Sequence, residues 1–532
     1  TKNNSEIGTK REIRMVDIVG NETLASLWSK LARECGDKEF LIFQGQDGEV
    51  ASYGYRLFNE MINQTANMFL RLGVVRGERV AVQMHTSPEF LMCMFGLAKI
   101  GAVMVPMNEQ YLQTECEYAL DMCHIKRAVV EPCYVELYDQ IRADGRLPEG
   151  IIVARVHDGE DVMGYPLFSD LVSKENTELD QPCTLSPDDP CEILFTSGTT
   201  SNPKGVILTH GNMLFSGYYG CWETAMTAQD RMFSTMPACH SNFQLAAMTP
   251  VLIARATLIV VEKYSATRFW SQIQEYRATL AQCVSMMLRT LMLQPVRADE
   301  KQHCLRDMLY FLPVTQREKE AFEERFNVRI MNTYGSTESV GWALTDPPTG
   351  ERKWPSVGRV GLSYEAKIVD EEGNELPAGK VGEICIKGVP GRSLMLGYVD
   401  DEAATAKALS SDGWLRMGDK GYYDEEGWFY FFDRKSNMIK RSGENISTTE
   451  IESILVDHPD IKEAAVIGVP DEIRDQAVKA FVLPADDAHL DPDEIIAYCE
   501  QNMAAFKVPS FVEIVDDFPR TCSMKIEKKL LH

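Results

Sequence analysis

Between Leu24 and Val130, strand-like and helix-like segments alternate, and that alternation narrows the fold more than any other property of the chain. Arg79 to Met84 and Ala102 to Val105 read as buried strands. Pro88 to Ile100 between them reads as a helix, with Pro88 in its first turn and Gly101 just past its end. Strand, helix, strand in that order predicts a parallel sheet covered by helices. A second alternating block runs from Asp189 to about Thr333. The pattern then changes. Asp370-Glu-Glu-Gly373 and Asp424-Glu-Glu-Gly427 punctuate short strands such as Val381 to Ile386, which predicts a compact β-rich subdomain over ~355–432. The fold class expected is α/β, with layered sheets and helices in a large N-terminal domain and a small α+β domain after it. The boundary falls where Trp428-Phe-Tyr-Phe-Phe432 meets Asp433-Arg-Lys-Ser-Asn437. The division expected is therefore a tail or tag over 1–14, a first domain over 15–433 and a second over 434–532. In the second, Ser447-Thr-Thr-Glu450 has the form of a capping box, followed by Ile451, Ile454 and Leu455 on one helix face.

Charge excludes some functions. The 532 residues carry 54 basic and 79 acidic side chains, a formal net charge of −25. A general nucleic-acid or membrane-surface binder needs an extended basic face, so neither partner is expected. Fourteen cysteines are scattered without a C-x-x-C pair or zinc-like spacing, and read as small apolar residues in a reducing compartment. The first twenty residues lack the apolar core of a secretory signal, and the longest apolar run, Phe90 to Val105, is interrupted by Lys99 and Gly101. A cytoplasmic protein is expected.

An acidic chain can still hold a small anion locally, and one string is built for it. Thr196-Ser-Gly-Thr-Thr-Ser-Asn-Pro-Lys-Gly205 lies between the apolar runs Glu192 to Phe195 and Val206 to Leu208. Hydroxyls and backbone N–H groups in such a loop can wrap phosphate oxygens, glycine admits close approach, and Lys204 adds a positive charge. The order is not that of a Walker A loop, because the lysine precedes the second glycine and a strand follows. Any of these residue types alone would suit a polar hairpin loop.

Four later stretches offer complementary groups. Asn332 to Ser339 contains the aromatic face of Tyr334, the hydroxyl of Thr337 and the carboxylate of Glu338. Met417-Gly-Asp419 places an acid beside a glycine, Asp433-Arg434 pairs charges at the boundary, and Pro519 to Lys525 ends in a lysine near the C-terminus. Taken singly, Glu338 suits a solvated surface and Lys525 a flexible tail.

In order and spacing, these motifs resemble the adenylate-forming superfamily, which contains acyl-CoA synthetases, peptide-synthetase adenylation domains and beetle luciferases. The resemblance extends over nearly all of residues 20–532. It implies that Thr196, Ser197, Gly198, Thr199, Thr200 and Lys204 hold the β- and γ-phosphates of ATP. Tyr334 would stack on adenine, Thr337 would bond a phosphate oxygen, and Glu338 would help hold Mg²⁺. Asp419 would accept from the ribose hydroxyls, with Arg434 nearby. Lys525 would bridge the substrate carboxylate and the α-phosphate, where a positioned cation stabilises the meeting of two anions. The C-terminal domain would then rotate about Ser436, bringing Lys440 and Gly443 to the path of coenzyme A, whose thiol displaces AMP. His240 matches the gate beside the acyl pocket, although a hydrogen-bonded core histidine is the plain alternative. The chain departs from the family twice. Tyr310 to Gln316 stands where a Gly-Gly-Ala-type turn is usual, and Met524 replaces the glycine before Lys525.

Further segments, including Gly217 to Trp222, Lys353 to Gly361 and Glu500 to Met503, resemble the ligases that join CoA to short trimethylammonium acids such as carnitine, crotonobetaine or γ-butyrobetaine. A quaternary ammonium donates no hydrogen bond and is held best by aromatic faces. Tyr218, Tyr219, Trp222, Phe243 and Trp342 are candidates for such a cage, and each equally suits a core aromatic. Two other readings stay open on sequence: an adenylating enzyme that loads a carrier protein in trans, and a nucleotide-binding regulator without chemistry. The sequence leaves oligomeric state open.

Overall fold

The computed structural model describes residues 17–147, 149–157, 160, 162, 164–196, 203–311, 314–434, 437–441, 444–471, 475–486, 488–521 and 525–532. Four sheets organise them. The first has seven strands. Its parallel centre, Val103–Pro106, Arg79–Gln83, Ala128–Val130 and Ile151–Val153, continues through Pro190–Thr196 into an antiparallel edge of Lys204–Thr209 and Gly397–Tyr398. The second has nine strands and is parallel from Glu39–Gln44 through Thr257–Val261, Arg231–Ser234, Leu280–Val284 and Asp307–Phe311 to Arg329–Tyr334. The expected α/β architecture is what folds.

The helix Pro88–Lys99 is apolar all round, and every residue but Glu89 is buried. Ser87 caps it by accepting from the Phe90 N–H at 3.2 Å, and Gly101 beyond its end takes φ +73°, which side chains rarely adopt. Its neighbour is the helix Tyr55–Arg71. A Cβ on Gly96 would lie 3.2 Å from the backbone nitrogen of Ala66, so the two backbones touch there. Lys99 interrupts the apolar run by sequence, yet it is buried. Its ammonium reaches Asn59 and Asn63 at 2.6 Å each, and burial lowers its pKa to about 7.

The β-rich segment forms the antiparallel sheet Glu365–Val369, Gly382–Lys387, Trp414–Tyr423 and Phe429–Arg434. It is less independent than its turn-punctuated sequence suggests. Ile368, Ile384, Ile386, Leu394 and Phe429 join the same apolar core as the two large sheets. Asn212, at the start of the helix His210–Thr224, also donates to the Leu394 carbonyl at 2.8 Å.

A separate core begins at Ile439 and includes Ile446, Ile451, Val466, Val478 and Val508. It lies around a fourth sheet in which the long strands Ile461–Asp471 and Asp475–Pro484 pair antiparallel. The helix Thr448–Val456 starts as expected, with Ser447 accepting from the Glu450 N–H at 3.2 Å. The reciprocal half of the capping box is replaced. Glu450 pairs with Lys507 at 2.6 Å, and buried Asp433 accepts from Thr448 Oγ1 at 2.9 Å and the Thr449 N–H at 3.4 Å. A carboxylate at a helix N-terminus is favourable, so the boundary residue becomes the anchor of the first C-terminal helix. Among the described residues, no helix is long and apolar enough to cross a membrane.

Candidate active site

The C-terminal ends of parallel strands in a doubly wound sheet are where loops gather and ligands bind. Here the strand Arg329–Tyr334 delivers Tyr334, and the strand Asp307–Phe311 beside it delivers Phe311. The chain after Arg231–Ser234 delivers His240.

Tyr334, Asp419 and Arg434 come together from three strands. The Tyr334 hydroxyl donates to Asp419 Oδ2 at 2.7 Å. Asp419 lies opposite Arg434 in the register, with guanidinium and carboxylate 3.6 Å apart. Gly418 just before it has φ +72° and open space where a Cβ would lie, so backbone conformation is what calls for glycine there. Burial pushes the Asp419 pKa up, while Arg434, Tyr334 and Lys525 pull it down. That last influence locates Lys525, exposed in the C-terminal segment, within electrostatic reach of the cluster. Its backbone is pinned by the Thr521 N–H donating to the Lys525 carbonyl at 2.8 Å.

A second group gathers at Thr196 and Lys204, the described ends of the loop string. Thr196 and Lys204 are cross-strand partners, so the two ends of the loop are held together. Ser197, Gly198, Thr199 and Thr200 lie outside the described residues. The Lys204 ammonium stands 4.8 Å from the centre of the Tyr398 ring, and the Tyr398 hydroxyl donates to Glu338 Oε1 at 3.0 Å. Cation, phenol and carboxylate thus form a row beside the loop. Thr337 Oγ1 donates to Ser241 Oγ at 3.2 Å and joins this row to the His240 segment.

His240 precedes the short helix Ser241–Phe243, which runs into a π-turn, Gln244–Met248. Such turns recur at functional sites. Gln244 is fully buried and donates through Nε2 both to the Ala238 carbonyl and to Glu192 Oε1, each at 2.8 Å. Glu192 belongs to the strand that enters the loop. It is buried, and desolvation raises its pKa to about 8, so its carboxyl is largely neutral at pH 7. One amide therefore couples the strand Pro190–Thr196 to the His240 segment.

The five aromatic candidates do not form one cage. Tyr218 turns to Glu22, its hydroxyl 3.0 Å from Oε2. Tyr219 is fully buried and donates to the Trp342 carbonyl at 2.5 Å. The Trp222 ring packs 5.4 Å from Tyr219 and is more than a third exposed, and Phe243 is completely buried. Successive residues on a helix point about 100° apart, so Tyr218 and Tyr219 could not share a wall. Trp342 remains, with its ring centre 4.7 Å from Phe311 and its buried indole N–H without a partner among the described residues. Ser436 and Gly443 lie outside the described residues. Lys440 is described only as backbone of the strand Ile439–Arg441. Sequence reasoning passed over Phe311, Tyr398 and Ser241. Phe311 sits inside the unusual Tyr310 to Gln316 segment, which was its only signal.

The AMP-binding enzyme profile matches residues 28–399, and the profile of the AMP-binding enzyme C-terminal domain matches 450–525. The chain belongs to the AMP-binding enzyme family. Among members of that family, it is 46% identical over 518 residues to the crotonobetaine/carnitine–CoA ligases of Salmonella agona and Salmonella typhimurium, covering 97% of this chain and 100% of each relative. Two solved structures are similar in fold at 25% identity. The anthranilate CoA ligase AuaEII in complex with anthranoyl-AMP aligns with a TM-score of 0.86 over 96% of both chains. ATP-bound MatB from Rhodopseudomonas palustris aligns with a TM-score of 0.85 over 95% of this chain and 98% of its own.

Proposed function

We propose that this AMP-binding enzyme is an ATP-dependent acid–CoA ligase whose acid is a short trimethylammonium carboxylate of the carnitine and crotonobetaine kind. The observation that carries this reading is the 46% identity to crotonobetaine/carnitine–CoA ligases, which runs the full length of those relatives. The assembled Tyr334–Asp419–Arg434 and Lys204–Tyr398–Glu338 groups support it.

In the first step the substrate carboxylate attacks the α-phosphorus of ATP. The bond to the bridging oxygen breaks, and pyrophosphate leaves with the electron pair. No base is required, because the nucleophile is already an anion. Tyr334, Asp419 and Arg434 hold the adenosine. The Thr196–Lys204 loop holds the leaving phosphates, and Thr337 contacts a phosphate oxygen. Lys525 lies between the two anions and stabilises the charge that builds up there. Glu338, half-buried beside the loop, supplies the kind of single carboxylate that Mg²⁺ accepts alongside phosphate oxygens. Bound there, the ion would neutralise the leaving pyrophosphate. In the second step the CoA thiol, as thiolate, attacks the acyl carbonyl, and the bond to AMP breaks. Lys440 and Gly443 are assigned to that thiol's path, with His240 at the gate. The unbridged state of all thirteen described cysteines favours a cytoplasmic setting.

Phe311 and Trp342 are the aromatic faces we assign to the trimethylammonium end. A panel of small carboxylic acids, assayed for AMP release with and without CoA, tests the function. Betaine acids should release AMP in a CoA-dependent way and yield a thioester. Adenylation without any thioester would transfer the assignment to a carrier-loading enzyme.

A further inference from the structure

Val340 stands between Glu338 and Trp342, and its backbone is in a conformation that valine avoids. Its φ is +59°, and it is buried to within 1% of its surface. The Gly341 N–H donates to the Ser339 carbonyl at 2.5 Å, closing a three-residue turn on Val340. A γ-turn with positive φ at its centre is the rarer and more strained form, and a β-branched side chain makes it worse. Strained backbone persists only where its surroundings over-determine it.

Two buried tyrosines provide that determination. The Tyr364 hydroxyl donates to the Ser339 carbonyl at 2.6 Å and accepts from the Gly341 N–H at 3.1 Å, so it grips both ends of the turn. It also lies 3.1 Å from the Ser393 carbonyl in the β-rich segment. Tyr219 takes the next residue, its hydroxyl on the Trp342 carbonyl. The two rings pack edge to face at 5.5 Å. Space enforces the fit as well. A Cβ on Gly361 would come within 1.8 Å of the Tyr219 hydroxyl, and one on Gly341 within 2.8 Å of the Tyr364 hydroxyl.

We propose that Tyr364 and Tyr219 are positioning residues that hold a strained turn at Val340 and thereby set Trp342 in the acid-binding pocket. Tyr219, one of the aromatic candidates for touching substrate, acts through Trp342 instead. The proposal rests on Trp342 facing the acid, as in the function proposed above. It is independent of which acid is bound.

The experiment measures acid KM, ATP KM and kcat for the full-length enzyme, using the best acid of the panel. Tyr364→Phe removes both grips with little change in volume, and Tyr219→Phe removes the third. Each should raise the acid KM about tenfold, a change worth about 1.4 kcal/mol, while the ATP KM moves less than about twofold. The deciding variants are Tyr364→Phe/Val340→Gly and Tyr364→Phe/Val340→Ala. Both lose the valine side chain, but only glycine adopts positive φ without penalty, so the turn can survive unclamped. The glycine double variant should recover the acid KM and the alanine one should not. Recovery by both, by neither, or an unchanged KM in Tyr364→Phe would overturn the proposal. Should Tyr364→Phe fold poorly, Tyr219→Phe with the same two partners gives the same comparison. A wild-type enzyme inactive on every betaine would overturn the substrate assignment and leave this test intact on another acid.

Discussion

At the scale of single residues, the site divides charge between fixed and movable groups. Asp419, Arg434 and Tyr334 are locked to one another by pairing and hydrogen bonding, whereas Lys525 comes from a segment with its own core. Lys525→Ala should therefore abolish acyl-AMP formation while thioester formation from supplied acyl-AMP and CoA stays within about threefold of wild type, under 1 kcal/mol of barrier. Adenylation at the wild-type rate in that variant would remove the lysine from the first step. The trimethylammonium end is tested by an isostere. γ-Butyrobetaine and 5,5-dimethylhexanoate have the same shape and differ in charge, and cation–π attraction of about 0.5–2 kcal/mol predicts a kcat/KM preference of roughly 2- to 30-fold for the cation. Equal values would eliminate the aromatic cage. The fixed groups were legible in the sequence because each belongs to a short motif with its chemistry adjacent. Tyr398 was not. It occupies the two-residue strand Gly397–Tyr398, and only its pairing with Lys204–Thr209 brings it to Glu338. Of the aromatic candidates, Tyr218 and Tyr219 point apart for a related reason, since composition near a motif says nothing about which way a helix faces.

Elements add couplings that no single residue carries. The strand Pro190–Thr196 and the π-turn Gln244–Met248 are joined through Glu192 and Gln244, so the strand that ends at Thr196 and the segment after His240 share a buried polar link. The neutral state of Glu192 gives that link a pH signature. In the unfolded chain its carboxyl ionises near 4.5, and in the folded protein near 8. Between those values the folded state binds more protons, so stability falls as pH rises. The contribution is fully present below about 4.5 and is lost as pH passes about 8. Glu192→Gln keeps the shape and removes the ionisation. Urea denaturation of the two proteins should give curves that converge near pH 5 and separate by pH 8.5, with the variant the more stable. Parallel curves across that range would show that Glu192 is charged in the folded protein. The hydrophobic pattern revealed the strand itself, while its partner lay about fifty residues downstream, in the turn Gln244–Met248, and nothing local in the sequence joins the two. The capping box at Ser447 shows the same limit. Its local half was legible, and Asp433 and Lys507, which complete it, arrive through tertiary structure.

For the molecule as a whole, the arrangement of cores bears on the reaction sequence. One extended apolar core, with members from Val19 to Phe429, runs across the two large sheets and the β-rich segment; a second, with Ala81, Val105, Tyr138 and Ile193 among its members, packs on the seven-stranded sheet; and the segment from Ile439 to Val508 has its own. The alternating pattern made the first body readable as layered α/β, while the absorption of the β-rich segment into it depended on contacts such as Asn212 with Leu394. The separate core after Ile439, tied to the larger body through Asp433 and Arg434, suits the two half-reactions proposed above, which would each present a different face of the smaller body. In the arrangement described, Lys525 is within electrostatic reach of Asp419, as its proposed role in adenylation would have it. On the function proposed above, thioester formation would have the smaller body turn about the chain near Ser436. Proline fixes φ near −65° and restricts the residue before it. Ser436→Pro should therefore slow thioester formation from supplied acyl-AMP by about tenfold or more, roughly 1.4 kcal/mol of barrier, while adenylation, followed as ATP–pyrophosphate exchange, changes less than about threefold. Equal slowing of both half-reactions would mean that the chain at Ser436 holds the two bodies in register and is not the pivot between them. Acceleration of adenylation alongside loss of thioester formation would be the strongest support for a turn, because a stiffened connection then traps the body whose lysine faces ATP.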